Sequence, residues 1–599
     1  MQADLAKQPK SFWRRHPWLV WLGGGALLAI AVLAIAVAVL VHRAEPYLRA
    51  RIVTALSEHF HARVELDSFH VSLGNGIHGE WGVWARGRGL RIWPPALVAG
   101  VHVPPSNAPS EPLIQLGGFG FHVPLRYQPG APVYIGQVRL QGLDVRLPPK
   151  SHFLHVGSPT NTGTGTPHHS PFVEFQLGAV DCTGMNLELE TSKPGKLPMQ
   201  IAIAHLRLTS ISADAEMHFE AELTNPKPTG IIHTTGDFGP WQVSDPGESP
   251  LAGQYTFDHA DLGDIKGIAG ILSSTGRYEG TLRDIIVDGQ TDTPDFRLSQ
   301  FNNSFDLRTQ FHAIVDGTNG DTWLDPVNAT MGQSHISAKG QVVRVLAPDS
   351  DGSQHSIGHD ISLEINVSQG RIEDFVRLGS HGSTSPLSGD VTVKAALLVP
   401  PGQDRVDQRM NLKGQFELNK AQFTSSKVQD RIEELSLRGQ GRPNDVKSTD
   451  PDTIVSEMHS NFTLAHGTIT LPDLAFLVPG AEINLDGTYV LDGGALKFTG
   501  TANMQATVSK MVGGWKGFLL KPADRFFKKD GAGTSVAIHV DGTREHPDFG
   551  VDIKGVDLKR GLKHTSPERP DQQPDQQSAH PESPQSPYVH PPQPVPPPS

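Results

Sequence analysis

The chain has very little cysteine, since Cys182 is the only one in 599 residues. It therefore forms no intramolecular disulfide, and it has no paired Cys motif of the kind that binds structural zinc. Only 7% of the residues are aromatic and 37% are apolar, which argues against several conventional compact cores. The net charge of −12 is spread along the chain without a basic stripe, which argues against nucleic acid as a partner.

Long hydrophobic runs are also scarce, because the sequence contains a single one. It is the uncharged stretch of 24 residues from Trp18 to Val41. As a helix it would reach about 36 Å, enough to cross a bilayer core of about 30 Å. The alternative is a cleaved signal peptide with a basic start and a cleavage box at residues 34–36. The run exceeds the usual apolar region of about 7 to 15 residues, so we predict a transmembrane helix at 18–41.

The charges around this span only partly define its orientation. Arg14 and Arg15 favour a cytoplasmic tail at residues 1–17, but Arg43, Arg49 and Arg51 follow the span and weaken the asymmetry. The tail is too short to fold, so the working domain must be the large part after the span. We predict a single-pass protein with its body outside the cytoplasm.

Two changes of hydrophobic period follow the span. Residues 42–62 include PYLRARIVTALSEHFHA, in which Leu48, Ile52 and Leu56 recur at helical spacing. This predicts an amphipathic helix next to the membrane. From Arg63 onward polar and apolar residues alternate, which is the pattern of a strand with one buried face.

The alternation continues along the body, which we place at residues 63–563. It recurs at 116–125, 138–147, 172–177, 186–190, 200–208, 216–223, 361–367, 391–398, 411–418, 461–464 and 535–541. Asp-Gly pairs at 288–289, 316–317, 351–352, 486–487, 492–493 and 541–542, and the Gly-rich residues 74–76 and 117–120, are interpreted as turns. Short strands at close spacing predict an all-β architecture.

Weak repeats refine that architecture. The segments at 275–282, 486–491 and 496–501 each put glycine beside alternating apolar residues. Units of this kind stack in one dimension, as in a solenoid or an open sheet that curls. We therefore predict an elongated, curled antiparallel sheet, with either an open groove or a closed interior. An open apolar interior would need lipid or a partner surface to cover it.

Catalytic and metal-binding motifs are not found in the sequence. There is no GxSxG, HExxH or Walker motif. The histidines at 59, 61, 168 and 169 lack further ligands at suitable spacing, so we predict no metal site and no cofactor. Asp292 and Asp295 are a conceivable acid and base of a glycan-active enzyme, but Pro294 between them favours a turn.

One later segment combines aromatic and basic residues. Within residues 511–529 these are Trp515, Phe518, Leu519, Leu520, Phe526 and Phe527, interspersed with lysine and arginine. The mixture is typical of a segment that lies in a membrane interface. A helix that caps the sheet and covers its edge strand is the alternative.

The last segment, residues 564–599, contains 12 prolines among Gln, Ser, Asp and Glu. We predict a disordered, partly polyproline II tail. It is either a plain solvated tail or a ligand for an envelope protein.

Several segments together resemble the AsmA family. They are PYLRARIVTALSEHFHARVELDSFHVSL after the span, the region 253–298, VDGTNGDTWLDPVNATM at 315–331, and LPDLAFLVPGAEINLDGTYVLDGGALKFTGTANMQA with HVDGTREHPDFGVDI near the end. The resemblance covers most of residues 18–557, with the C-terminal AsmA-like part at about 361–557. It implies a bacterial inner-membrane anchor, a periplasmic β-rich body and a role in lipid transport or outer-membrane biogenesis.

The expected function is therefore lipid binding or transfer without catalysis. Apolar residues from the alternating segments would line a lipid groove or a closed core: Phe119, Phe121, Val123, Leu187, Leu189, Phe219 and Leu223. An envelope scaffold that contacts other proteins is the second hypothesis, and a glycan-active enzyme is the third.

Overall fold

The computed structural model describes residues 45–54, 56–57, 62–76, 80–93, 97–98, 101–102, 111–124, 133–147, 175–211, 215–242, 245–350, 353–445, 456–512 and 533–552. The predicted span 18–41, the aromatic and basic residues 515–527, the proline-rich tail and the histidines at 59, 61, 168 and 169 lie outside them. None of the helices in these ranges is both long enough and apolar enough to cross a membrane. The chain divides after Val551 into two units, and the second lies outside the described residues apart from Asp552.

Strands dominate the described part of the chain, as the alternating pattern predicts. They are β1 (Val64–Asn75), β2 (Trp81–Ile92), β3 (Leu97–Val98), β4 (Val101–His102), β5 (Ile114–Pro124), β6 (Val133–Leu147), β7 (Phe175–Leu189), β8 (Met199–Thr209), β9 (Met217–Pro226), β10 (Thr229–Phe238), β11 (Pro250–Asp261), β12 (Ile268–Ala269), β13 (Ile271–Thr281), β14 (Ile285–Leu298), β15 (Phe305–Val315), β16 (Thr322–Met331), β17 (Ser334–Pro348), β18 (Gln354–Arg371), β19 (Leu387–Val399), β20 (Asn411–Phe423), β21 (Ser456–Ala465), β22 (Thr468–Val478), β23 (Ala481–Val490), β24 (Ala495–Met504), β25 (Thr534–Thr543) and β26 (Pro547–Asp552). The all-β fold class is confirmed.

All of these strands except the β3–β4 hairpin belong to one large sheet, which curls into a half-barrel. Neighbours in sequence are neighbours in the sheet, and their pairing is antiparallel from β7 to β11 and from β13 to β25. The pair β6–β7 is parallel, so among the described strand pairs the predicted antiparallel arrangement has one exception. A parallel pair needs a long connection, and the chain between Leu147 and Phe175 supplies it.

The two faces of the sheet differ in exposure. Along β18 the residues Ile361, Leu363 and Ile365 are half-buried, while Ser362 and Glu364 between them are exposed. Successive side chains of a strand point to opposite faces, so the alternation in the sequence produces one apolar face and one polar face.

Close approaches at glycines show towards which face the sheet bends. Gly276, Gly340 and Gly414 lie on the apolar face, and a Cβ atom added to any of them would come within 3.0 Å of a carbonyl oxygen on the neighbouring strand. The same addition on the polar face, at Gly118 or Gly120, meets nothing closer than 3.6 Å, although at Gly82, near the start of β2, it would lie 2.3 Å from Val123 O. Apart from that strand end, adjacent strands close together on the apolar side, and we infer that the sheet curls towards its apolar face.

The curl brings distant loops together. Residues 190–198, between β7 and β8, contact the turn 316–321, between β15 and β16. Met199 N donates to Thr318 O at 3.0 Å, and Lys196 Nζ lies 2.8 Å from Asp321. In a flat sheet β8 and β15 would be about 29 Å apart, at about 4.8 Å per strand. These contacts therefore tie the half-barrel at one rim.

Helices pack on the apolar face at its two ends. At the first end, α1 (residues 45–54) places Ile52 and Val53 against Leu66, Phe69 and Ala85. This helix lies within the predicted helical segment 42–62.

At the other end two helices cover the face. They are α2 (Ile372–Leu378) and α4 (Ser426–Gly439), and the short α3 (Val406–Arg409) and α5 (Val508–Val512) lie in connections. Ile432 of α4 is 8% exposed and packs in a cluster with Phe476 and Val478 of β22. The helix is amphipathic, so its apolar side covers the end of β22 and the start of β23.

We expect Ile432→Ala to lower the free energy of unfolding by about 2 to 4 kcal/mol, because a large buried side chain is replaced by a cavity. Urea unfolding followed by circular dichroism measures the change. Lys427→Ala, at an exposed position of the same helix, is the matched control and should change stability by less than about 0.5 kcal/mol. Equal effects of the two changes would show that α4 does not depend on this packing.

Several predicted turns are wrong. Residues 117–120 lie within β5, and the Asp-Gly pairs at 288–289, 486–487 and 541–542 lie within β14, β23 and β25. Pro294 likewise lies inside β14. The predicted strands 172–177 and 186–190 overlap one continuous strand, β7. In these strands glycine allows a neighbouring side chain or backbone to approach closely: an added Cβ at Gly289 would collide with the Phe311 ring and the Tyr255 hydroxyl.

Candidate functional site

The register aligns one residue of every long strand from β1 to β24 across the apolar face. We call these residues the apolar row: Val71, Ala85, Phe121, Val138, Val180, Leu208, Phe219, Gly236, Gly253, Tyr278, Val287, Ala313, Leu324, Gly340, Leu363, Leu397, Leu412, Leu464, Ile469, Tyr489 and Leu496. Paired residues lie directly opposite each other on the same face. The sheet therefore carries a path without charged side chains that runs perpendicular to its strands and is apolar except for the hydroxyl groups of Tyr278 and Tyr489.

The opposite face is polar at the same level. Arg207, Glu220, Thr235, Gln254, Arg277, Asp288 and His312 are paired successively from β8 to β15. His312 Nδ1 lies 2.8 Å from an oxygen of Asp288. The hydrogen bond with His312 is the main reason why the pKa of Asp288 is lowered. Because side chains alternate along each strand, these charged residues lie on the face opposite the apolar row.

The middle of the apolar row is half-buried. Between β6 and β17 its side chains larger than alanine are neither fully exposed nor enclosed, whereas the helices described above pack near the two ends. Such a surface is apolar enough to bind hydrocarbon and open enough to admit it.

The predicted groove residues all lie on the apolar face. Phe119, Phe121 and Val123 are in β5. The rings of Phe119 and Phe121 stack at 6.3 Å between centroids, and both pack in the cluster that contains Ile52 of α1. This part of the predicted lining is therefore next to α1.

The other predicted residues divide between the open and the closed parts of the face. Phe219 and Leu223 of β9 are half-buried, and Leu187 of β7 is half-buried as well. Leu189 is only 4% exposed, because it lies at the rim where the chain enters the loop 190–198. Leu189 therefore belongs to a closed core, while the other three line the open part.

The sequence analysis missed a group of hydroxyl side chains on the apolar face. We call Thr234, Tyr255, Ser274, Tyr278, Thr291 and Thr309 the hydroxyl patch. Hydrogen bonds join them in pairs: Thr234 with Tyr278 at 2.6 Å, Tyr255 with Ser274 at 3.1 Å, and Thr291 with Thr309 at 2.6 Å. Alternation over 251–257 was the signal that would have placed Tyr255 on this face.

The tyrosines of the patch lie over glycines. An added Cβ at Gly253 would meet the Tyr278 hydroxyl, and one at Gly276 would meet the Tyr255 ring. Burial raises the pKa of both tyrosines, and their hydrogen bonds offset this only partly. Both phenols therefore remain neutral at physiological pH.

Two cavities lie along this part of the sheet. One has a volume of about 1240 Å³ and is lined mostly by residues of the polar face, among them Arg207, Arg277, Asp288 and His312. The other, of about 830 Å³, is also lined mostly from that face, for example by Asp292 and Arg308. Both cavities therefore lie mainly on the side of the sheet opposite the hydroxyl patch.

The aspartates considered for catalysis have other partners. Asp292 lies 3.5 Å from Arg308, and Asp295 accepts a hydrogen bond from Ile271 N at 2.8 Å. Within the described ranges, no group of three or more His, Cys, Asp or Glu side chains is placed to hold a metal ion. Cys182 is buried on the apolar face, where burial raises the pKa of its thiol.

Comparison of the chain with protein-family models, with curated proteins and with solved structures finds no match.

Proposed function

We propose that this protein is a non-catalytic, membrane-anchored protein that binds lipid along the apolar row and transfers it between membranes. The observation that carries the proposal is the uncharged and largely apolar row of residues across one inward-curling face. Such a face is costly in water, and acyl chains would cover it at a gain of about 0.8 kcal/mol per buried CH₂ group.

The length of the open section favours transfer over the storage of one lipid. Between β6 and β17 the apolar row covers about 48 Å, at about 4.8 Å per strand. One acyl chain occupies about 15 Å, which is half of a bilayer core. Several chains would fit end to end, so a lipid has room to move along the row.

The membrane end of this path is defined by α1. The predicted span at 18–41 precedes this helix, and the helix packs beside Phe121, an early member of the apolar row. We propose that lipid enters there from the bacterial inner membrane and that the body lies in the periplasm. A role in outer-membrane biogenesis would follow from the same path.

Mass spectrometry of the full chain purified from native membranes tests the proposal. We expect at least about one lipid per chain to remain after detergent exchange, as burial of even one acyl chain is strongly favourable. A single-span protein with an unrelated soluble body, purified in parallel, sets the background. Lipid at that background level would contradict lipid binding and leave scaffolding of envelope proteins as the alternative.

A further inference from the structure

We infer that the hydroxyl patch is a recognition site for an uncharged, hydroxyl-bearing headgroup, so that the apolar row selects among the amphiphiles it carries. This inference rests on the proposed lipid function and adds a ligand class to it. The patch is local: β8 on one side presents Ile201, Ile203, Leu206 and Leu208 on this face, and β18 on the other side presents Ile361, Leu363, Ile365 and Val367. A polar group on a passing lipid therefore meets hydrogen-bonding partners at β10 to β15.

The hydrogen bonds within the patch determine what it offers to a ligand. Thr234 Oγ1 donates to Gln254 O at 3.0 Å, so the bond between Thr234 and Tyr278 uses the proton of Tyr278. Ser274 Oγ donates to Gln290 O at 3.0 Å, so the proton of Tyr255 is used in the same way. Both tyrosine oxygens are left as acceptors.

One donor remains in addition to these acceptors. In the pair Thr291–Thr309 a single proton makes the bond, so the second hydroxyl proton is free. The nearby Thr293 is 1% exposed, and its hydroxyl oxygen has no hydrogen-bond partner among the described residues. A ligand hydroxyl, which both donates and accepts, matches this mixture.

A phosphate group does not match it. Phosphate oxygens only accept, and a buried anion needs a cation beside it. At this level of the described sheet the charged side chains, such as Arg277 and Asp288, lie on the opposite face. Glycerol and sugar hydroxyls share the required chemistry, because each is uncharged and carries neighbouring donors and acceptors.

The double variant Tyr255→Phe and Tyr278→Phe tests the site. It removes the two acceptors and keeps the rings. Thr234 and Ser274 keep their bonds to Gln254 O and Gln290 O, so no buried donor is orphaned. The matched control is Tyr47→Phe with Tyr134→Phe, which makes the same change at two exposed tyrosines outside both the patch and the apolar row.

The delipidated full chain in detergent is titrated with radiolabelled monoolein, methyl oleate and oleoyl lysophosphatidic acid. These probes share one acyl chain and differ in the headgroup. We expect wild type to bind monoolein about tenfold more tightly than the other two, and the double variant to lose about tenfold for monoolein alone. The control variant should match wild type. Oleyl glucoside, added as a fourth probe, separates sugar from glycerol, and preference for either over methyl oleate supports the site.

Two results would overturn the inference, and a third would overturn the proposed function as well. Equal binding of monoolein and methyl oleate by wild type would show that the patch does not recognise hydroxyl groups. An unchanged monoolein affinity in the double variant would show that the headgroup is recognised at another place. Failure of wild type to bind any of the probes would overturn the proposed lipid function itself.

Discussion

Replacement of Leu363 by aspartate is expected to remove most of the lipid that copurifies with the protein. Leu363 lies in the apolar row on β18, between Gly340 of β17 and Leu397 of β19. An acyl chain over this position would bury the new carboxylate without a partner, which is strongly unfavourable. We expect bound lipid to fall at least about tenfold, which corresponds to about 1.4 kcal/mol. Mass spectrometry of lipid extracted from the purified variant provides the measurement.

The adjacent residue supplies the control for that change. Ser362 is exposed on the opposite face of the same strand, so Ser362→Asp adds the same charge without entering the row. Circular dichroism should show the same strand content in both variants. A second pair, Leu223→Asp and Thr224→Asp on β9, repeats the comparison beside the hydroxyl patch. Equal lipid retention in both members of each pair would contradict a lipid path on the apolar face.

Asp316→Ala is expected to be the most destabilising single change at the tie between the loop 190–198 and the turn 316–321. The Asp316 side chain is 2% exposed and accepts hydrogen bonds from Lys193, from Thr318 N at 2.9 Å and from Asn319 Nδ2 at 2.8 Å. Without the carboxylate, the fully buried Asn319 loses an acceptor. We expect a loss of about 3 kcal/mol in the free energy of unfolding, measured by urea unfolding.

An exposed ion pair of the same chemistry provides the comparison. Asp306 pairs with Arg308 at 2.8 Å, and its side chain is 48% exposed. We expect Asp306→Ala to cost less than about 1 kcal/mol. If Asp316→Ala cost no more than this, the tie between the two loops would not hold the curl.

The contribution of Asp316 should also depend on pH. Burial by itself would raise its pKa, but hydrogen bonds from Lys193 and Thr318 outweigh burial and lower the pKa. A lowered pKa means that the stabilisation is complete above the ordinary aspartate pKa of about 3.9 and is lost as pH falls through the lower folded value. The difference in unfolding free energy between wild type and Asp316→Asn should therefore be largest near neutral pH and shrink below about pH 4. A difference that stayed constant at low pH would contradict the assignment.

Much of the secondary structure was predictable because strand periodicity is a local property. The alternation from Arg63 onward predicted β1, and the helical spacing of Leu48, Ile52 and Leu56 predicted α1. The strands from β10 to β17 were mostly not assigned, because threonine, glycine and tyrosine interrupt their apolar positions. The same interruptions form the hydroxyl patch, which explains why the candidate site was the part least visible in the sequence.

Glycine produced the opposite error, in which residues inside a strand were predicted to form a turn. Asp316-Gly317 is a turn, but Asp288-Gly289 lies in the middle of β14. No local signal separates the two pairs, since the second glycine is required by the Phe311 ring and the Tyr255 hydroxyl that lie over it. Those residues are distant in sequence, and only the register of the sheet brings them to Gly289.

The sequence by itself determined that the body is built from strands with one apolar and one polar face, because the side chains of a strand alternate with a period of two. It also determined that a long apolar stretch precedes this body. Only the tertiary structure decided how the strands align, and alignment is a pairing of residues far apart in the chain. That alignment joined the apolar residues into one row, buried Leu189 at the rim and brought six hydroxyl groups together on the apolar face.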